Sequence, residues 1–387
     1  MGSVNLNSIS RNVQSVEISG IRKFYNKVIQ YPDAISLTLG QPDFNVPGKI
    51  KTAMIKAIED NKTTYTSNAG IIELREEISK YLKGFHINYS KDEICITIGG
   101  SEALMDVFAA LINSGDKILI PNPAYPAYES CVKILGGNIV TYNLKDDFSI
   151  DFDNLKRTLE NEKPKVMVLS YPSNPTGAVL SGDDNRKLYN LIKKNKLIVI
   201  SDEIYASLNF EKDYFSPAQY NDIKDHIILV SGFSKMFSMT GLRIGYVCAH
   251  KSFMDEIMKV HQYNVSCAPS ISQWGAYAGL KSCMKDVDYM CSKFIERRDY
   301  IYNKLKSLGF ELNLPRGAFY VFPSIKNFNM KSEEFCEKLL KEAKVAVVPG
   351  SAFGTKGEGH IRISYAYSMD KLKTSMGKIE DWIASHF

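Results

Sequence analysis

The sequence predicts an α/β fold, a mostly parallel sheet covered by helices, with a second, smaller α+β unit. Three observations carry this. Between about residues 90 and 250, short apolar runs alternate with helical patterns. Those runs are rich in Ile and Val on both faces, as in strands buried on both sides. After about residue 250 the pattern changes to long amphipathic, charged helices and then to a short α+β stretch.

The elements follow in order. "EICITIG" (93–99) reads as a strand, and Leu104, Val107, Phe108 and Leu111 in "SEALMDVFAALIN" fall at helical spacing. "DKILIPNP", "GNIVTYNL", "KVMVLSYP", "KLIVISDE", "HIILVSG" and "LRIGYVCA" supply further strands, with helices expected over 126–136, 153–162 and 182–194. Long helices are expected over 250–263 and 270–308. The smaller unit comprises "GAFYVFPSI", the helical "SEEFCEKLLKEA", "VAVVPG", "HIRISYA" and a last helix from Asp370. The first 48 residues fit neither pattern and are assigned to the smaller unit, giving boundaries of 1–48, 49–282 and 283–387.

Composition narrows the function. With 44% apolar and 24% charged residues the chain is of ordinary globular type. Its 48 basic and 43 acidic residues leave +5, too small a charge to argue for nucleic acid or a membrane surface. No 18-residue apolar run exists, and the start "MGSVNLNSISRN" lacks the apolar stretch of a secretory leader. Seven scattered cysteines without a CxxC pair read as reduced core thiols, the expectation for a cytoplasmic protein.

In an open parallel sheet, ligands bind beyond the carboxyl ends of the strands. Those ends hold Gly99-Gly100-Ser101, Asn122 to Tyr125, Tyr171 to Asn174, Asp202 to Tyr205 and Ser231 to Lys235. Lys235 is the single lysine of "SGFSKMFSMTGLRIGY". An amine in an apolar pocket has a depressed pKa and can condense with a carbonyl. A lone lysine at a helix start usually has its head in solvent, so its company decides the reading. Arg243, eight residues on, needs an anion, and its fork suits phosphate. "GGSEA" opens a helix after a buried strand, so its N–H groups and the Ser101 hydroxyl can cradle that phosphate. Asp202 follows five apolar residues and needs a partner; a protonated pyridine nitrogen, as in pyridoxal phosphate, would satisfy it. Tyr205 and Asn174 could hold the cofactor's ring oxygen, and Tyr125 in "NPAYPAY" could stack on its ring.

Together these residues resemble the class I/II aminotransferases of pyridoxal-phosphate fold type I. The resemblance rests on the "SKxxxxxGxRxG" pattern around Lys235, on "YPSNPTG" and on "SDEIY", and "LTLGQPDF", "YTSNAGIIELR" and "HIRISYA" extend it over residues 37–366. It implies a large domain with a mostly parallel, mixed, seven-stranded sheet and a small domain built from both termini. It also implies that Lys235 holds the cofactor's aldehyde and that Asp202 pairs its ring nitrogen. Asn174 and Tyr205 would bind the ring oxygen, Tyr125 stack, and Arg243, Gly100, Ser101 and Glu102 form the phosphate cradle. The segment reads SGFSK with Gly232 three before the lysine, so either Ser231 or Ser234 serves the phosphate. Tyr65 matches the tyrosine that reaches the phosphate of a neighbouring subunit, which implies a homodimer with shared sites. Arg362 would clamp the substrate α-carboxylate, beside Gly40.

A finer resemblance, to the aminotransferase A group of N-acetyl-L,L-diaminopimelate aminotransferases of lysine biosynthesis, rests on "EISGIRKF", "KVHQYNVSCAPSISQ", "GAFYVFPSIK" and "VVPGSAFGTKGEGHIRIS". Such a substrate carries a distal carboxylate, for which Arg22 and Lys23 are the candidate cations. The implied reaction exchanges an amino group with a 2-oxo acid, with glutamate and 2-oxoglutarate as one pair. Broad aspartate or aromatic transamination and C–S β-elimination are the alternatives. A nicotinamide dehydrogenase is rejected because its glycine fingerprint is missing, and no metal is expected.

Overall fold

The computed structural model describes residues 8–387, so the first seven residues of the expected N-terminal segment lie outside it. After a short strand β1 (Ile35–Ser36), all seven apolar runs form strands of one sheet: β2 (Ile94–Thr97), β3 (Lys117–Asn122), β4 (Asn138–Asn143), β5 (Val166–Ser170), β6 (Ile198–Asp202), β7 (Ile227–Gly232) and β8 (Gly245–Ala249). Their order is β2-β8-β7-β6-β5-β3-β4. β3 to β7 pair in parallel, whereas β8 is antiparallel to both β2 and β7. The reversal has a local cause. β7 leads into a four-residue helix, Phe233–Met236, and a single turn, Thr240–Leu242, so the chain doubles back at the end of the sheet without a crossover helix.

The two-sided burial is visible residue by residue. Along β5, Val166 and Val168 enter one core while Met167 and Leu169 enter the other, as the period of two requires. The expected helices form over Gly99–Leu111, Pro126–Ile134, Phe152–Glu162, Gly182–Asn195 and Lys251–Asn264. The stretch 270–308 is a correction: it is two helices, Ser270–Ser282 and Met284–Ser307, broken at Cys283. The first packs on helices Gly48–Glu59 and Ile72–Lys83, the second on the C-terminal helix Met369–His386. One straight rod could not bury a single apolar face against both.

The remaining strands are β9 (Tyr320–Val321), β10 (Val345–Ala346), β11 (Val348–Pro349) and β12 (Ile361–Ser364). β11, β12 and β9 form an antiparallel sheet, and β10 pairs in parallel with β1. The chain beyond β1 is wedged between the two sheets, since Leu37 N–H donates to the Ala346 carbonyl at 2.8 Å and the Leu37 carbonyl accepts from Ser364 N–H at 3.0 Å. Asp43 adds a two-pronged ion pair with Arg297, at 2.7 and 3.1 Å. No helix among the described residues is long and apolar enough to cross a membrane.

Gly245 on β8 is where the sheet and the start of helix Gly99–Leu111 touch: a Cβ there would lie 2.7 Å from the Gly99 carbonyl carbon and 2.9 Å from Gly100 N. Backbone cannot yield as a flexible side chain can. Gly245→Ala is therefore expected to lower the melting temperature by several degrees. Gly241→Ala, whose Cβ would meet nothing within 4 Å, should leave it unchanged in the same thermal scan.

Candidate active site

A cavity of about 400 Å³ opens at the carboxyl ends of the central strands. The end of β2 contributes Gly100 and Ser101 at the start of helix Gly99–Leu111. Gly99 has φ +70°, which favours glycine, and a Cβ on it would stand 2.7 Å from Arg243 Nη2 and push the guanidinium aside. Tyr125 precedes helix Pro126–Ile134, Asn174 follows β5, Asp202 ends β6 with Tyr205 just beyond, and Ser234 and Lys235 follow β7.

Lys235 Nζ donates to the Gly40 carbonyl at 2.5 Å and lies 5.9 Å from the centre of the Tyr205 ring. Burial, then the positive charges of Arg243 and Arg362, lower its pKa to about 8. Arg243 Nη1 donates to the Thr240 carbonyl at 2.9 Å. Arg362 is almost fully buried; its Nη1 donates to Asn174 Oδ1 at 2.9 Å, Nη2 to the Thr38 carbonyl, and Nε has no partner. The arginine ion pairs among the described residues belong to Arg75, Arg186, Arg297, Arg298 and Arg316, so neither Arg243 nor Arg362 has a carboxylate of its own. Asp202 is the converse, a buried carboxylate without a cation. Its Oδ2 accepts from the Tyr128 hydroxyl at 2.6 Å and its Oδ1 from Ile204 N–H at 3.1 Å, while burial pushes its pKa up.

The cavity brings together Gly40, Gly100, Ser101, Tyr125, Asn174, Asp202, Tyr205, Ser234, Lys235, Arg243, Arg362 and Arg22. Ser234 lines it, whereas the Ser231 hydroxyl donates to the Glu203 carbonyl at 3.0 Å. Glu102 is a correction. One residue further round the helix than Ser101, it turns into the protein, where Oε2 accepts from Ile98 N–H and Oε1 lies 2.8 Å from His261 Nδ1. Tyr65 is also outside the cavity, 85% exposed. Lys23, on helix Gly20–Val28, is paired with Glu17 at 2.5 Å, which leaves Arg22 as the cation of that helix at the cavity.

Two residues were missed. Tyr128 supports Asp202, and its one signal was a position three after Tyr125 on the predicted helix. Tyr320 shares a 2.8 Å hydrogen bond with Tyr205, and Arg362 Cζ stands 4.4 Å from its ring centre. It sits in "GAFYVFPSI", where its spacing resembles that of any strand residue.

Cationic groups without anions facing a buried carboxylate across one cavity form a receptor for a small anionic molecule. A family model described as aminotransferase class I and II matches residues 32–379. The chain belongs to the class I and II aminotransferases. This aminotransferase is 43% identical to the "Probable N-acetyl-LL-diaminopimelate aminotransferase" of Bacillus subtilis, over 96% of this chain and 95% of that protein. It is 39% identical to the "Probable aspartate aminotransferase" of Methanocaldococcus jannaschii, over 96% and 99% of the two chains. Among solved structures, an aromatic aminotransferase from Pyrococcus horikoshii superposes with a TM-score of 0.89 at 36% identity, covering 94% of this chain and 99% of that one.

The depressed amine of Lys235 has a stability consequence. Between pH 8 and 10.5 the unfolded aminotransferase holds a proton that the folded one has lost, so this group's contribution to stability rises with pH across that window. Lys235→Met is expected to raise the urea midpoint of the cofactor-free protein at pH 7, with the gain shrinking above pH 8 and gone near 10.5.

Proposed function

We propose that this aminotransferase uses pyridoxal 5′-phosphate to move an amino group between an L-amino acid and a 2-oxo acid. Glutamate and 2-oxoglutarate would form one pair, and N-acetyl-L,L-diaminopimelate, of lysine biosynthesis, would be the second amino compound. The observation that carries the cofactor is the depressed amine of Lys235, which shares one cavity with Arg243 and Arg362, both without a carboxylate partner, and with buried Asp202. The residues fit the group. Arg243, Ser101, Ser234 and the helix start at Gly100 would take its phosphate, Asp202 its ring nitrogen, Asn174 and Tyr205 its ring oxygen, and Tyr125 its ring face. Exposed Tyr65 suits a contact with the phosphate of a second subunit, so the working form is a homodimer. Residues 49–282 then make up the cofactor domain, and 1–48 with 283–387 the smaller one.

When bound, pyridoxal phosphate supplies an aldehyde that condenses with amines and a ring that draws electrons from the substrate's Cα. The chain supplies the rest. Arg362, oriented by Asn174 and the Thr38 carbonyl, binds and aligns the substrate carboxylate. Lys235 Nζ, with a pKa of about 8, is deprotonated often enough near neutrality to take the proton from Cα of the amino donor, and in the reverse half-reaction it gives a proton to Cα of the compound that receives the amino group. Tyr128 and Ile204 N–H hold Asp202 in place against the cavity. Tyr320 fixes the phenol of Tyr205, and burial keeps both hydroxyls protonated.

Arg22 lines the same cavity without a carboxylate partner among the described residues, with Cζ 5.7 Å from the Tyr25 ring. It would meet the distal carboxylate of the substrate. The test is a half-reaction panel in which glutamate, aspartate, alanine, phenylalanine, cystathionine and N-acetyl-L,L-diaminopimelate are each added alone to the yellow protein. Fast bleaching by glutamate and the acetylated diamino acid only is expected. Fast bleaching by aspartate or phenylalanine would instead favour broad specificity, and pyruvate with ammonia from cystathionine a β-lyase. Arg22→Ala should slow the acetylated diamino acid about tenfold or more and spare alanine and phenylalanine. Equal losses on all of them would remove Arg22 from specificity.

A further inference from the structure

The segment "KVHQYNVSCAPSISQ" (259–273) takes no part in the chemistry above, yet it packs beneath the phosphate cradle. His261 is fully buried on helix Lys251–Asn264. Its Nε2 lies 2.9 Å from the Asn68 carbonyl, which can only accept, so Nε2 carries a proton. Its Nδ1 lies 2.8 Å from Glu102 Oε1 and 3.5 Å from Asp106 Oδ2, an oxygen that is buried and has no hydrogen-bond partner. Glu102 Oε2 is already an acceptor, from Ile98 N–H. Two carboxylates, one orphaned oxygen and a doubly donating ring describe an imidazolium. Burial alone would lower the His261 pKa, but the interactions with nearby Asp106, Cys95 and Glu102 outweigh it and raise the value to about 12.

Both ends of that ring lead to the cofactor site. Glu102 lies in the first turn of helix Gly99–Leu111, whose N-terminus faces the cavity. Asn68 lies in the loop that carries Tyr65, and the loop is held again by Asn68 Nδ2 to the Ser266 carbonyl at 2.7 Å and by Gln273, which bonds Thr66 at 3.1 Å and Ile71 N–H at 2.7 Å. A negative charge at Glu102 without its partner would oppose an anion at the same helix end.

We propose that His261 is a positioning residue for the cofactor phosphate: a buried imidazolium that neutralises Glu102 beneath the cradle and, through Asn68, holds the Tyr65 loop. This rests on the proposed pyridoxal phosphate reading. Glu102, Asp106 and His261 also place three ligand atoms within 4.8 Å of one another, which a divalent cation could use. The proton on Nδ1 does the same neutralising work without displacing the contact to Glu102.

The test measures the affinities of the cofactor-stripped full chain for pyridoxal 5′-phosphate and for pyridoxal, which lacks the phosphate, by absorbance titration. His261→Gln is expected to weaken pyridoxal phosphate about tenfold or more while changing pyridoxal less than threefold. The double variant Glu102→Gln/His261→Gln, which removes both charges, should recover most of the loss. It also stands in if the single variant does not fold, and a double variant that no longer prefers the phosphorylated ligand would overturn the proposal. Wild-type affinities in a folded His261→Gln variant would overturn it, as would equal losses on both ligands without rescue. A stoichiometric divalent ion in the purified protein, lost with His261, would do the same. A wild-type chain that binds neither ligand would bring down the cofactor reading itself, and this proposal with it.

Discussion

Charges taken out of water must be paired, and around the central cavity they are not paired with each other. Lys235, Arg243 and Arg362 face one space, and Asp202 is the buried carboxylate that shares it. A chain selected for stability alone would bring the acid and a base together or replace both with apolar residues. Here Asp202 is hydrogen-bonded to Tyr128 and to a backbone N–H instead, and these two bonds oppose the upward push of burial on its pKa without a protein cation. Much of the remaining architecture serves to keep those charges apart and aimed.

The sheet does half of that work. Because β8 returns antiparallel beside β2, Arg243 is carried back to the start of helix Gly99–Leu111, where its guanidinium lies against Gly99. The two ends of the chain do the other half. The segment after β1 threads between β10 and β12, and its Thr38 and Gly40 carbonyls receive Arg362 and Lys235. A Cβ on Gly40 would overlap the Tyr320 hydroxyl, so the closeness of that segment to the site depends on a missing side chain. Arg362, Lys235 and the Tyr205–Tyr320 pair are thus set by contacts between residues more than 100 positions apart.

The parts legible in the sequence were those written in local pattern. Seven apolar runs announced seven strands because strands buried on both faces have no polar alternation to confuse them with surface. Strand ends then pointed to the right neighbourhood for Asn174, Asp202, Tyr205 and Lys235. What failed was orientation. Glu102 and Ser101 are adjacent in sequence, but a turn of about 100° per residue sends one to His261 and the other to the cavity. Tyr128 and Tyr320 act through partners 74 and 115 residues away, which no spacing rule reveals. The break at Cys283 arises because the helices on either side pack against different elements, and that is a tertiary demand.

The central claim, that the depressed amine of Lys235 is the group that holds an aldehyde cofactor, is tested most directly by trapping the bond. The purified protein would be incubated with pyridoxal phosphate, reduced with borohydride, digested, and mapped by mass spectrometry. The account predicts one phosphopyridoxyl group per chain, located on Lys235 and abolished by prior mild denaturation. Label spread over surface lysines, or a single label on a different lysine, would contradict it.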